Sequence, residues 1–136
     1  MLRHLLCVFC GFLTHPAMLV AQQLAIDQLE MSIQLELSPE RGEVDGDVSI
    51  RFINLQENSD SISLNAIRMQ VSKLELNGKP WPFRVSPDEI SFPTKDLEGD
   101  THLVRIAYRC KPRKGIYFNG WGRSGGKRQI WTQGQG

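Results

Sequence analysis

The run from Gly115 to Gly136, GIYFNGWGRSGGKRQIWTQGQG, gathers the residue types in this chain that are best suited to meet a ligand. Gln129, Gln133 and Gln135 carry amides that both donate and accept hydrogen bonds, and Tyr117, Phe118, Trp121 and Trp131 offer flat apolar faces. Its charged side chains, Arg123, Lys127 and Arg128, are all basic. The formal net charge of the whole chain is only +1, yet all 15 acidic residues lie at or before Asp100, and Arg105, Arg109, Lys111, Arg113 and Lys114 also follow that point. Such a basic segment reads either as a surface that pairs with acidic groups elsewhere or as an anion or nucleic-acid surface with the aromatic rings as stacking platforms. The run closes on Ile-Trp-Thr-Gln-Gly-Gln-Gly with no stop element, which reads as a chain cut before its next structural element.

Other reactive side chains are few. Arg3 precedes an apolar run from Leu5 to Leu13, Pro16 breaks the segment, and polar Gln22-Gln23 follows Ala21, the layout of a secretory signal peptide over residues 1–21. Its apolar core falls short of the roughly 20 residues that cross a bilayer, so no stable membrane span is expected. Cleavage after Ala21 is the preferred reading and an uncleaved anchor the alternative; either way the protein is exported, to the periplasm or the exterior. Export weighs against nucleic acid as a partner. Cleavage removes Cys7, Cys10, His4 and His15 and leaves Cys110 and His102. A single Cys makes no internal disulfide, and one His with one Cys makes no ordinary protein zinc site. There is no HExxH, no G-x-S-x-G elbow and no phosphate-binding Gly-rich loop, so the segment carries no catalytic residue and no metal ligand set of its own. His102 reads as a strand-end surface residue and Cys110 as a small packed apolar group.

The elements that must carry these residues are strands. From Asp27 to Leu37 the chain alternates without a fault, with Leu29, Met31, Ile33, Leu35 and Leu37 on one side, which predicts a half-buried antiparallel strand. Ser38-Pro39-Glu40-Arg41-Gly42 predicts a turn, and Val44, Val48, Ile50 and Phe52 line a returning strand on which Gly46 leaves room for a large neighbour or a bulge. Strand character returns over Ile62–Val71, and the parity slip between Leu64 and Ile67 predicts a break or bulge. Asn77-Gly78 is a two-residue hairpin signal, and Pro80 and Pro82 push the next segment toward a sheet edge. A short strand at Ile90 and Phe92 and an alternating one through His102, Val104, Ile106, Tyr108 and Cys110 complete the series. No helical period persists outside the leader. The class is all-β, an antiparallel sandwich or saddle, incomplete at the C-terminus, spanning residues 22–136 after the leader.

These segments, taken in order, are similar to the N-terminal domain of the aminopeptidase N family: Asp27–Leu37, Gly46–Phe52, Leu74–Gly78, Val104–Tyr108, then Gly115-Ile116-Tyr117-Phe118 and Thr132-Gln133-Gly134-Gln135. The ordered pair of a Gly-x-Tyr-Phe and a Thr-Gln-x-Gln segment is the most specific part. The resemblance implies a β-saddle that precedes a thermolysin-like, zinc-dependent catalytic domain. It implies that Gln135 lies beside the free amino group and first side chain of a bound peptide, with Gln133 supporting it. An amide oxygen suits that task, because a desolvated ammonium needs acceptors for its three protons. It also implies that zinc, the general base and most amine-anchoring acids belong to the downstream catalytic domain, so this segment alone would be inactive. An incomplete saddle would leave an unpaired strand edge and an uncovered apolar face. The alternative reading is a secreted, non-catalytic β-sandwich that binds a glycan or protein through Trp81, Trp121 and Trp131.

Overall fold

A computed structural model describes residues 26–55, 60–95, 97–121 and 126–134. The leader expected over residues 1–21 and the site candidate Gln135 lie outside the described residues. The described chain is all strand and turn: β1 (Ile26–Ser38), β2 (Glu43–Asn54), β3 (Ser61–Asn65), β4 (Gln70–Leu76), β5 (Lys79–Pro80), β6 (Arg84–Val85), β7 (Glu89–Pro93), β8 (Thr101–Cys110), β9 (Ile116–Asn119) and β10 (Gln129–Thr132). A five-stranded antiparallel sheet runs β1-β2-β8-β4-β5, a second sheet runs β3-β7-β6, and β9 pairs with β10.

The first hairpin forms where the turn residues predict it. Ser38 pairs with Glu43, the Arg41 and Gly42 amides donate to the Ser38 and Pro39 carbonyls, and the Arg41 guanidinium binds Ser38 Oγ and Glu43. The expected fault-free alternation of β1 is interrupted, because Leu29 is an extra residue between Gln28, opposite Phe52, and Glu30, opposite Arg51. Nor is β1 half-buried. Residues 27–37 are exposed on both faces, since β1 lies at the sheet's edge and nothing among the described residues packs over its apolar side.

The slip between Leu64 and Ile67 is a change of sheet rather than a bulge. β3 pairs with β7 in the small sheet, Arg68 takes a left-handed φ of 54° in the turn, and β4 joins β8 in the large one. This crossover makes the core. Ile62 from β3 with Ile90 and Phe92 from β7 pack onto Phe52, Leu74, Leu76, Val104 and Ile106 of the large sheet, all nearly solvent-free. The Phe52 and Phe92 rings meet edge-on at 6.4 Å. Each such side chain contributes about 1.5–3 kcal/mol by leaving water.

The small sheet covers only part of the large sheet's apolar face. In the uncovered part, the Tyr108 ring lies over Gly46, its register partner on β2, occupying the space a Cβ there would need. On the opposite face, charges pair across strands: Arg109 with Asp45 (2.7 Å), Arg105 with Asp47 (2.8 Å), Lys111 with Glu43 (3.3 Å) and Arg51 with Glu30 (3.3 Å). The Glu43 carboxyl is held below its ordinary range by its hydrogen bond to Arg41, against a partial burial that opposes it, with Lys111 adding to the effect. Solvent screens these exposed pairs, so they favour register more than they add stability.

His102 is not a surface residue. It is 2% exposed, with its ring 5.6 Å from Phe52, because β8 runs through the middle of the sheet and its inward end is roofed by the small one. The Asn77-Gly78 turn closes β4 onto β5 with φ of 51° and 79°, and it also reaches across to β8. Asn77 Oδ1 accepts from the Leu103 amide (2.9 Å) and the Asn77 amide donates to the Leu103 carbonyl (2.8 Å). The side-chain nitrogen of Asn77 is then the donor toward His102 Nδ1, 3.3 Å away, which places the ring proton on Nε2.

Candidate functional site

The two segments that carry the sequence resemblance become partner strands. Gln129, Ile130, Trp131 and Thr132 of β10 lie opposite Asn119, Phe118, Tyr117 and Ile116 of β9. Alternation along β9 and β10 puts Tyr117 and Trp131 on one face, and their rings stack with centroids 4.2 Å apart and planes 12° from parallel. A cross-strand aromatic pair of this kind stabilises a hairpin by roughly 0.2–1 kcal/mol. The rings expected as platforms for a ligand are thus stacked on each other, although Trp131 still shows 43% of its surface to solvent.

Pairing continues one residue beyond β10: the Gln133 amide donates to the Gly115 carbonyl at 2.9 Å. Gln133 is exposed, and alternation puts it on the Trp131 side of the hairpin, opposite a residue with no side chain. Its backbone is anchored while its carboxamide can meet a ligand. Gln135, expected beside it, lies outside the described residues. Trp121 closes the base of the loop by donating Nε1–H to the Gln129 carbonyl (3.2 Å), and the Arg128 guanidinium lies 5.2 Å from its ring centroid. Trp81 belongs elsewhere, packed against the core with its indole N–H on the Pro93 carbonyl at 2.9 Å. The three Trp residues are therefore engaged within their own neighbourhoods.

The basic C-terminal third divides in two. Arg105, Arg109 and Lys111 pair with acids of β2, whereas Arg113, Lys114 and Lys127 form no ion pair among the described residues. Cys110 is half-buried, and burial first, then the nearby Asp45 carboxylate, pushes its thiol up. Burial likewise raises the Tyr108 hydroxyl, with Cys110 adding to it. The Asn77, Leu103 and His102 network was not legible beforehand, because these residues are about 25 positions apart in sequence and only the β4–β8 pairing joins them.

No protein-family model matches this sequence, and no curated protein matches it. Solved structures do match. The leukotriene A4 hydrolase of yeast is 19% identical with a TM-score of 0.66, the match covering 80% of this chain and 18% of that one. An M1 zinc metallopeptidase from Deinococcus radiodurans is 20% identical with a TM-score of 0.57, covering 68% of this chain and 22% of that one. A mutant of the latter enzyme, bound to the substrate Tyr-Ser-Ala, matches with a TM-score of 0.57 at 19% identity, covering 68% and 22%. The fold of this chain is one found in M1 zinc metallopeptidases. Within that shared fold, this chain spans about a fifth of the length of the enzymes it matches.

The metallopeptidase fold raises the question of zinc. Among the described residues no group of three or more His, Cys, Asp and Glu could hold a metal ion. His102 and Cys110 lie eight residues apart on one strand, roughly 26 Å at about 3.3 Å per residue, too far to ligate a common ion. The described residues do not fit a zinc centre.

Proposed function

We propose that this chain is the N-terminal β-domain of an exported zinc-dependent aminopeptidase, which removes N-terminal residues from peptides, and that it is inactive by itself. The observation that carries this reading is the β9–β10 hairpin: the Gly-x-Tyr-Phe and Thr-Gln segments pair with each other on a fold shared with zinc metallopeptidases. Zinc and the hydrolytic residues belong, in this reading, to a catalytic domain that the β-domain scaffolds. A peptide N-terminus as the partner is supported by the tripeptide bound in one of the matched enzymes.

The hairpin's part is to bind and orient. Gln133 and Gln135 present amide oxygens to the substrate ammonium, which must replace lost water with acceptors. The Gln133–Gly115 hydrogen bond and the Tyr117–Trp131 stack hold the strand in place before substrate arrives, so less ordering is needed on binding. The leader over residues 1–21 directs export.

The test is Gln135→Ala in the zinc-loaded aminopeptidase, with Gln133→Ala beside it. Losing a hydrogen bond to a charged group, about 1.5–3 kcal/mol, raises KM for a free-amino peptide tenfold or more at Gln135 and less at Gln133. Unchanged KM in both variants would remove these residues from the substrate site.

A further inference from the structure

We infer that the cleft at the end of β6 binds a free α-amino acid with an apolar side chain, taken as its zwitterion. The cleft exists because two prolines meet. β6 pairs with β7 at Arg84–Ser91 and Val85–Ile90, and continuing that register would set Phe83 against Phe92 and Pro82 against Pro93. Neither proline has an N–H to give, so the ladder stops after two residues. The Pro93 carbonyl accepts instead from the Trp81 indole at 2.9 Å. β7 runs on to Pro93 beside β3, and a cleft of about 410 Å³ opens where β6 is missing, lined by Pro82, Phe83, Pro93, Ser91, Asp60 and Arg84. Phe83 is half-buried against the core, which fixes that wall.

The two charges of the cleft stand on opposite sides of β7. The Asp60 carbonyl accepts from the Thr94 amide at 3.0 Å, which places Asp60 on the β3 side, three positions along from Ser91, whereas Arg84 faces Ser91 from the β6 side. Strand spacings put the two residues about 10 Å apart along β7 and about 10 Å apart across it. Both are exposed, and neither forms an ion pair among the described residues. Opposite charges held apart over an apolar floor suit a small ligand that carries both. Its ammonium donates to the Asp60 carboxylate, its carboxylate accepts two parallel N–H bonds from the Arg84 guanidinium, and its side chain lies against Phe83 and the prolines. A phosphate or dicarboxylate would meet Asp60 as a like charge, a diamine would meet Arg84 as one, and a neutral sugar would use neither. The assignment rests on the cleft and not on the function proposed above, although a free amino acid is also what an aminopeptidase releases.

The probe is free L-leucine, titrated into the 136-residue chain without zinc and followed by amide chemical shifts. Saturable shifts are expected at Phe83, Arg84, Ser91 and Phe92, with none in β1 or in the β9–β10 hairpin. N-acetyl-L-leucine, which lacks the ammonium, and L-leucinamide, which lacks the carboxylate, each bind about fivefold more weakly, the low end for charge-assisted contacts because the site is open to solvent. Asp60→Asn abolishes the discrimination against N-acetyl-leucine and keeps that against leucinamide; Arg84→Gln does the reverse. Both side chains are exposed, so neither change disturbs the core. Equal binding of the three ligands, shifts centred outside the cleft, or no saturable shift would each overturn the site. So would two variants that weaken all three ligands alike, the mark of a structural effect. A longer protein without peptidase activity would sink the functional reading and leave leucine binding by this chain standing.

Discussion

Gly46→Ala isolates one packing decision of this fold. The Tyr108 ring lies over Gly46, and a Cβ placed there would meet its Cζ and come within 2.5 Å of Oη and 2.6 Å of Cε1. Alanine by itself favours a strand over glycine by about 0.5–1 kcal/mol, because glycine loses more backbone freedom on folding. Overpacking costs about 1–3 kcal/mol where neighbours cannot yield. Here the obstructing atoms are the far end of a ring that faces an open groove, so the ring yields in part and the cost falls near the middle of that range, about 1.5–2 kcal/mol. The net expectation is a loss of about 1 kcal/mol, read from the urea midpoint by tryptophan fluorescence at constant slope. In a Tyr108→Ala background the obstruction is gone, so the same Gly46→Ala change gains about 0.5–1 kcal/mol, and the double-mutant cycle shows a coupling near 2 kcal/mol. A Gly46→Ala variant that is neutral or stabilised with Tyr108 present would refute the contact.

The remaining expectations concern the turn and the thiol. Asn77→Ala costs about 2–4 kcal/mol, because it strains a φ of 51° and strips partners from the Leu103 amide and the buried His102 ring; Asn77→Gly, which relieves the strain alone, costs about 1 kcal/mol less in the same urea assay. Cys110 alkylates more slowly in the folded chain than in urea at mildly alkaline pH, followed by peptide mapping, since burial raises its thiol above the ordinary value of 9.0. A folded-state pKa raised above the unfolded one means that the native chain holds its proton longer, so this contribution to stability is complete below about 9 and is lost as pH rises through the folded value. A midpoint that climbs with pH through that window would contradict the sign.

Much of the architecture was written locally. The Ser38–Gly42 turn, the Asn77-Gly78 hairpin and the edge position of the Pro80 segment follow from backbone preferences of two or three residues, and the structure has all of them. The candidate hairpin was legible as two segments whose order matched a known domain, and the space over Gly46 was legible as space.

What the linear pattern lacked was the identity of the partner on each apolar face. Alternation in β1 and in β8 looks the same, yet one strand is at an edge in water and the other is buried between β2 and β4, so His102 is core and Leu35 is exposed. The slip at Leu64–Ile67 marked a discontinuity, and only the closing of two sheets over Phe52 and Phe92 made it a crossover. The stacking of Tyr117 on Trp131 likewise needed the β9–β10 register. Period-two patterning determines that a strand has two unlike faces; which neighbour covers each face depends on contacts between residues far apart in the chain, and those exist only once the sheets have packed.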